Sequence, residues 1–241
     1  MADAGYWALV LTLIVSAYAA FASALGVRKR DSALLDSARN GVFAAAGLGT
    51  AACGILFYLL LSRDYGIQYV YQHVSDVMPT LYVVSAFWAG QEGSLLVWLW
   101  FAVLLTALLI LWGRAWKMVY GPYVVSAMAA IQTFLALVIL LFSNPFVQMA
   151  AVPLQGQGMN PLLQNIWMVT HPPVVFVAYA AYGVPFALAV GGLAMGRLDG
   201  DWLPLTRRWA LFAWLFMGAG ILMGAWWAYL ELGWGGYWGW D

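Results

Sequence analysis

Residues 93–113 read GSLLVWLWFAVLLTALLILWG and contain no charged side chain. A helix rises about 1.5 Å per residue, so about 20 such residues cross the roughly 30 Å hydrocarbon core of a bilayer. Further uncharged runs of similar length cover residues 5–27, 41–62, 118–142, 174–195 and 209–230. These runs are continuous rather than alternating, which favours helices over the strands of a barrel. The sequence therefore predicts an all-α, polytopic transmembrane helix bundle with six spans.

The composition points to the same class of protein. Of the 241 residues, 65% are hydrophobic and 8% are charged, whereas ordinary soluble domains contain about 25% charged residues. Ten Lys and Arg balance ten Asp and Glu, so no basic face is present to hold nucleic acid. The single cysteine, Cys53, cannot form an internal disulfide or a CxxC pair. We expect one membrane domain over residues 1–241 and no nucleic-acid partner.

The positions of Lys and Arg predict the orientation. Nine of the ten cations lie in the loops after the first, third and fifth spans: Arg28, Lys29, Arg30, Arg39, Arg114, Lys117, Arg197, Arg207 and Arg208. The positive-inside rule places these loops in the cytoplasm and the N-terminus outside. A seventh span over 77–91 would divide the cations, so we expect an interfacial or re-entrant segment there. Segments 63–91, 143–173 and 229–241 then lie on the outer side.

The stretch 229–241 reads YLELGWGGYWGWD and combines tryptophan with glycine. Glycine lets a backbone approach a flat ligand closely, and indole rings offer apolar faces with one N–H donor each. This pattern suits a platform for a large planar molecule with a polar rim. The alternative is an aromatic belt at the membrane interface, which composition by itself favours.

Two histidines lie on the predicted outer side. His171 precedes Pro172 and Pro173, which suit the first turn of the fifth span. A neutral imidazole at this position suits a haem iron. A histidine that hydrogen-bonds to nearby backbone is the alternative, and residue type alone favours it. His73 lies in the polar stretch YQHVSD and is expected to be solvated.

Two charged residues, Glu92 and Arg63, each have two interpretations, and one further segment is expected to be helical. Glu92 is either a functional acid near membrane depth or a carboxylate at the start of the third span, where it meets the helix dipole. Arg63 either pairs with an anionic group of a ligand or marks a helix end, and the second interpretation is favoured. Residues 154–167 are expected to form a short amphipathic helix along the membrane face.

Five motifs, in order, resemble those of the CcmF/NrfE family of cytochrome c biogenesis. They are WAGQEGSLLVW at 88–98, SNPF at 143–146, GQGMNPLLQ at 156–164, HPP at 171–173 and AYLELGWGGYWGWD at 228–241. The last resembles the opening of the tryptophan-rich WWD signature of haem-handling membrane proteins. The resemblance covers essentially the whole chain.

The resemblance implies a haem lyase subunit in the bacterial inner membrane with a periplasmic functional face. Such a protein takes haem b from a CcmE-type chaperone and promotes its thioether attachment to CxxCH of apocytochrome c, alongside CcmH- or CcmI-type subunits. It implies that His171 is an axial ligand of the haem iron, and it assigns no catalytic acid or base. It implies a haem platform that includes Trp234, Gly235, Gly236, Trp238, Trp240 and Asp241.

The resemblance leaves other interpretations open. The family's signature continues past Asp241, and its second outward histidine and the ligands of a structural haem follow, so we expect a fragment or a split subunit. A CcmC-type haem-delivery protein, which forms no thioether, is the alternative, but there the WWD segment lies between two outward histidines. A transporter or channel with aromatic belts and no cofactor is the third interpretation.

Overall fold

The computed structural model describes residues 1–112, 120–196 and 202–233. The described helices are α1 (Ala2–Lys29), α2 (Ser32–Leu61), α3 (Gln68–His73), α4 (Thr80–Ser85), α5 (Gln91–Leu111), α6 (Gly121–Phe142), α7 (Ile166–Ala194) and α8 (Trp202–Glu231). Two 3₁₀ turns cover Ala86–Trp88 and Pro161–Leu163. Six helices, namely α1, α2 and α5 to α8, are long and apolar enough to cross a membrane. The predicted all-α fold with six spans is confirmed.

Three long helices begin well before the uncharged runs that predicted them. α2 begins directly after Asp31, not at 41, because the Asp31 carboxylate accepts a hydrogen bond from the Leu34 amide at 3.1 Å. α7 begins directly after Asn165, not at 174, because the Asn165 side chain accepts one from the Trp167 amide at 2.9 Å. α8 begins at Trp202, not at 209. Polar caps, rather than the limits of the apolar runs, fix the first two starts.

The expectation that Pro172 and Pro173 occupy the first turn of the fifth span is wrong. α7 begins at Ile166, so these prolines and His171 lie in its second turn. Proline has no N–H, so each removes a helical hydrogen bond to the carbonyl four residues earlier. The helix continues through both prolines and needs donors from elsewhere at this point.

The helices pack around α5, which contacts α2, α6 and α7. α1 packs along α2 and α6, and α7 packs along α6 and α8. Fully buried side chains at these contacts include Leu9, Leu56, Leu99, Ile139 and Leu188. α8 has few buried residues, and among the described helices it packs mainly against α7. α7 and α8 therefore form a helical hairpin at the edge of the bundle.

The two ends of the bundle differ in chemistry. One end, called here the basic end, holds the turn between α1 and α2, with Arg28 and Lys29, and the start of α8, with Arg207 and Arg208. The other end holds the start of α7 and both histidines, and is called the histidine end. There the Gln148 side chain donates to the Asp3 carboxylate at 2.8 Å, which joins residues far apart in the sequence.

The segments at the histidine end contain short elements. The sequence predicts that no seventh span lies before the third one, and residues 62–90 indeed contain no long helix. They contain α3, α4 and the turn Ala86–Trp88. The predicted amphipathic helix over 154–167 is wrong, since its described structure is one 3₁₀ turn, Pro161–Leu163, followed by the start of α7. Gly158 has a φ of +82°, which breaks any helical path before that turn.

Candidate haem site

His171 lies on α7 where that helix meets two glycines of α8. A Cβ atom at Gly224 would lie 2.7 Å from His171 Cε1, and one at Gly220 would lie 2.5 Å from Val175 Cγ2. Real Cβ atoms do not approach other atoms so closely, so any larger residue at either position would push the helices or the facing side chains apart. Their spacing of four residues places both glycines on one face of α8. The local sequence thus allows the backbone of α8 to lie directly against the imidazole.

One hydrogen bond to the backbone of α8 fixes the imidazole of His171. Its Nδ1 lies 2.7 Å from the carbonyl oxygen of Gly220. A carbonyl only accepts hydrogen bonds, so Nδ1 carries the proton and donates it. In the neutral ring, Nε2 then keeps a free lone pair. This is how metal-binding histidines are usually oriented, with one nitrogen donating to a carbonyl and the other available to the metal.

A cavity of about 640 Å³ lies beside His171 between α7 and α8. This volume falls within the range of about 300–1,000 Å³ that is typical of small-molecule pockets. The other lining residues are mostly apolar: Val175, Tyr179, Met217, Ile221, Gly224, Ala225, Trp227, Ala228 and Leu232. An apolar wall with one imidazole lone pair suits haem, whose macrocycle is planar and whose iron takes axial histidine. The residues present therefore fit haem.

Side-chain contacts close the hairpin of α7 and α8 at the histidine end. The Asn165 side chain, which caps α7, donates from Nδ2 to the carboxylate of Glu231 at the end of α8. The Trp227 indole donates to the Leu162 carbonyl at 3.2 Å. These contacts bring the end of α8 to the end of the bundle where His171 lies. Sequence reasoning assigned no role to Asn165, although asparagine before an apolar run is a recognised helix-start signal.

The predicted platform residues lie outside the part of the chain that the structure describes: Trp234, Gly235, Gly236, Trp238, Trp240 and Asp241. The helix that leads to them, α8, ends at Glu231. Gly233 follows with a φ of +61°, a left-handed conformation that glycine adopts readily after a helix. Of the predicted haem-binding residues, the structure therefore places His171.

Comparisons with known proteins identify the family. Residues 88–241 match the family described as Cytochrome C assembly protein. The chain belongs to this family, within its CcmF/NrfE group. A solved structure of the cytochrome c haem lyase CcmF matches 98% of this chain and 38% of that one, with a TM-score of 0.86 and 30% identity. The family assignment thus rests on both sequence and fold.

Three curated relatives give the extent of the match. CycK of Rhizobium meliloti is 36% identical over 239 residues, which cover 99% of this chain and 35% of CycK. CcmF of Haemophilus influenzae is 36% identical over 245 residues, covering 100% of this chain and 37% of CcmF. NrfE of the same organism is 33% identical over 239 residues, covering 99% and 38%. All three are described as cytochrome c-type biogenesis proteins, and this chain spans slightly more than a third of their length.

In this chain, the WAGQEGS stretch forms a tight corner at the start of α5. The Tyr69 hydroxyl lies 2.9 Å from the Ala86 carbonyl oxygen and 3.0 Å from that of Phe87, and it accepts a hydrogen bond from the Gly90 amide at 3.1 Å. A Cβ atom at Gly93 would lie 1.7 Å from the Phe87 carbonyl oxygen, so only glycine fits there. Burial raises the pKa of the Tyr69 hydroxyl, which keeps the phenol protonated as a donor.

The expectation that His73 is simply solvated is wrong. Its ring is half-buried and lies 4.3 Å, centroid to centroid, from that of Tyr69. His73 Nδ1 also lies 2.8 Å from the Tyr69 carbonyl oxygen. A Cβ atom at Gly90 would lie 2.7 Å from His73 Nε2. His73 is therefore part of the packing of the corner that precedes α5.

The two charged candidates, Glu92 and Arg63, both lie at helix ends. Glu92 lies in the first turn of α5, half-buried, where the positive end of the helix dipole favours a carboxylate. Arg63 follows the end of α2 with a φ of +52°. Its guanidinium donates to the carbonyls of Ser75 at 3.3 Å and Met78 at 3.1 Å. Arg63 therefore marks a helix end, as favoured, and also braces the loop before α4.

Proposed function

We propose that the cavity between α7 and α8 binds haem, with His171 as an axial ligand through Nε2. One observation carries this proposal: His171, whose Nδ1 is bound to the Gly220 carbonyl, lines an apolar cavity of about 640 Å³, so Nε2 is the ring nitrogen left for an iron there. Haem binding at this position agrees with the likeness to a solved haem lyase. Trp234, Trp238 and Trp240 contribute apolar faces to the same bound haem.

We further infer that the protein serves cytochrome c maturation at the periplasmic face of the bacterial inner membrane. It receives haem b from a CcmE-type chaperone and promotes thioether attachment to the CxxCH thiols of apocytochrome c. CcmH- and CcmI-type subunits handle those thiols. The family assignment and the haem lyase CcmF among its structural relatives support this role. The chain spans slightly more than a third of the length of these relatives.

The residues of this chain would act mainly by position. His171 would hold the haem iron in one place, because its ring lies between the carbonyl of Gly220 and the backbone of Gly224. The apolar walls exclude water from the macrocycle. The haem itself supplies the vinyl groups that react, and the thiols belong to the partner protein. Holding the two reactants in register removes much of the entropic cost of joining them.

The full-length protein with His171→Ala tests the haem site, and His73→Ala is the matched control. Both are the chain's histidines and both lie at the histidine end, but His171 alone lines the cavity. Loss of an axial ligand is expected to lower the haem content of the purified protein or to move its Soret band. The His73→Ala protein is expected to keep the wild-type band, because the Tyr69 hydroxyl bonds to Phe87 and Gly90, which hold the corner before α5, do not involve the His73 side chain. An unchanged spectrum and haem content in His171→Ala would remove His171 from the site.

A further inference from the structure

We propose that Trp88 is a positioning residue for His171, because its indole supplies a hydrogen bond that Pro172 cannot make. Trp88 Nε1 lies 3.0 Å from the carbonyl oxygen of Met168. In an α-helix this carbonyl accepts from the N–H of residue 172, four residues later. Residue 172 is proline, which has no N–H. A donor from outside the helix therefore replaces the missing one.

The hydrogen bond that is replaced spans the turn which carries His171. The missing helical bond would join residues 168 and 172, and His171 lies between them. Without a donor, the Met168 carbonyl is unpaired in a half-buried position, and the turn is free to open toward solvent. Opening of this turn would move the imidazole away from the Gly220 carbonyl. The indole of Trp88 thus fixes the backbone that sets the position of the iron ligand.

Trp88 is itself held firmly by the corner before α5. The Ser94 hydroxyl donates to the Trp88 carbonyl at 2.9 Å. Tyr69 bonds to the residues on either side, at the Phe87 carbonyl and the Gly90 amide. No residue of the WAGQEGS stretch, which the structure describes in full, lines the cavity. The stretch instead holds Trp88 in position. The Trp88 indole N–H then donates to the Met168 carbonyl of α7.

The hydrogen bond can be removed without changing the shape of the ring. In the full-length protein, 3-benzothienylalanine in place of Trp88 exchanges the N–H for sulfur, and Trp88→Phe is the simpler variant. Since one intramolecular hydrogen bond is worth about 0.5–1.5 kcal/mol, haem affinity is expected to fall about 2- to 13-fold. The Soret band is expected to shift as the ligand geometry relaxes. Trp100→Phe is the control, because that indole donates to Thr50 Oγ1 at 3.0 Å, away from His171.

The decisive comparison removes the Trp88 N–H in a Pro172→Ala protein, because alanine restores the backbone donor for the Met168 carbonyl. In this background, removal of the Trp88 N–H is expected to change neither haem affinity nor the Soret band. An equal loss with proline or alanine at 172 would overturn the proposal, since Trp88 would then act through packing. Absence of any effect in the proline background would overturn it as well.

The haem readouts rest on the proposed function, so a second readout uses the haem-free protein. Amide hydrogen exchange over residues 166–176 is expected to become faster when the Trp88 N–H is removed, but not when alanine occupies 172. If the wild-type protein binds no haem, the proposed function fails, while this exchange pattern still supports the role of Trp88 in holding the turn. Unchanged exchange in the proline background would overturn that role even if haem binds.

Discussion

At the scale of single residues, the two nitrogens of His171 have different tasks. Nδ1 is occupied by the Gly220 carbonyl, so Nε2 is the nitrogen that can meet a metal. The sequence suggested His171 through its place in the HPP motif. It did not predict Gly220 as the partner, because the two residues are 49 positions apart and meet only when α8 packs against α7. The tautomer is therefore a property of the fold and not of the motif.

Gly224→Ala is expected to disturb the haem site although it removes no ligand. The added methyl group would lie 2.7 Å from the His171 ring, so the ring or the helix must shift. Overpacking of this kind costs about 1–3 kcal/mol. Gly218→Ala is the control, since a Cβ atom there meets no atom within 4 Å. Haem titration of both proteins should show weaker binding for Gly224→Ala alone; equal affinities would mean that the contact does not position His171.

At the scale of helices, apolar runs predicted how many long helices exist but not where they begin. α2 and α7 start at polar caps, Asp31 and Asn165, that lie before the uncharged runs. The prolines after His171 looked like a helix start, since proline is favoured in a first turn. α7 instead passes through them, with Trp88 donating to one of the carbonyls that they leave unpaired. A contact between residues 80 positions apart leaves no local signal in the sequence.

Asn165→Ala is expected to loosen the hairpin of α7 and α8. The substitution removes an N-cap, which costs about 1 kcal/mol, and also removes the hydrogen bond to Glu231. Asn160→Ala is the matched control, because Asn160 caps only the exposed turn before α7 through the Leu162 amide. Thermal unfolding should show the larger loss of stability for Asn165→Ala. Equal losses would mean that the contact with Glu231 contributes nothing beyond the cap.

At the scale of the whole molecule, the α7–α8 hairpin lies at the edge of the bundle and carries the candidate haem cavity. The basic end and the histidine end lie on opposite sides of the six helices. The positive-inside rule then predicts that the basic end faces the cytoplasm and the histidine end the periplasm. The sequence could predict this polarity from its loops. It could not predict the cavity, because its lining combines residues of α7 with residues of α8 that lie about 40–60 positions later in the sequence.

Cysteine labelling in intact cells is expected to show this orientation. Cys53 is buried and should not react with an impermeant maleimide. Cysteine introduced at Asn160, an exposed position at the histidine end, should be labelled from outside the inner membrane. Cysteine at Lys29, exposed at the basic end, should be labelled only after the membrane is opened. The reverse pattern would place the proposed haem site on the cytoplasmic side and exclude a periplasmic haem donor.

The most direct measurement of the central claim is the absorption spectrum of the full-length His171→Ala protein with and without added imidazole. If His171 Nε2 ligates the haem iron, the variant should lose the wild-type Soret band. Imidazole from solution should then enter the space left by the side chain and restore that band. A variant that keeps the wild-type band without imidazole would show that the iron takes its ligand elsewhere.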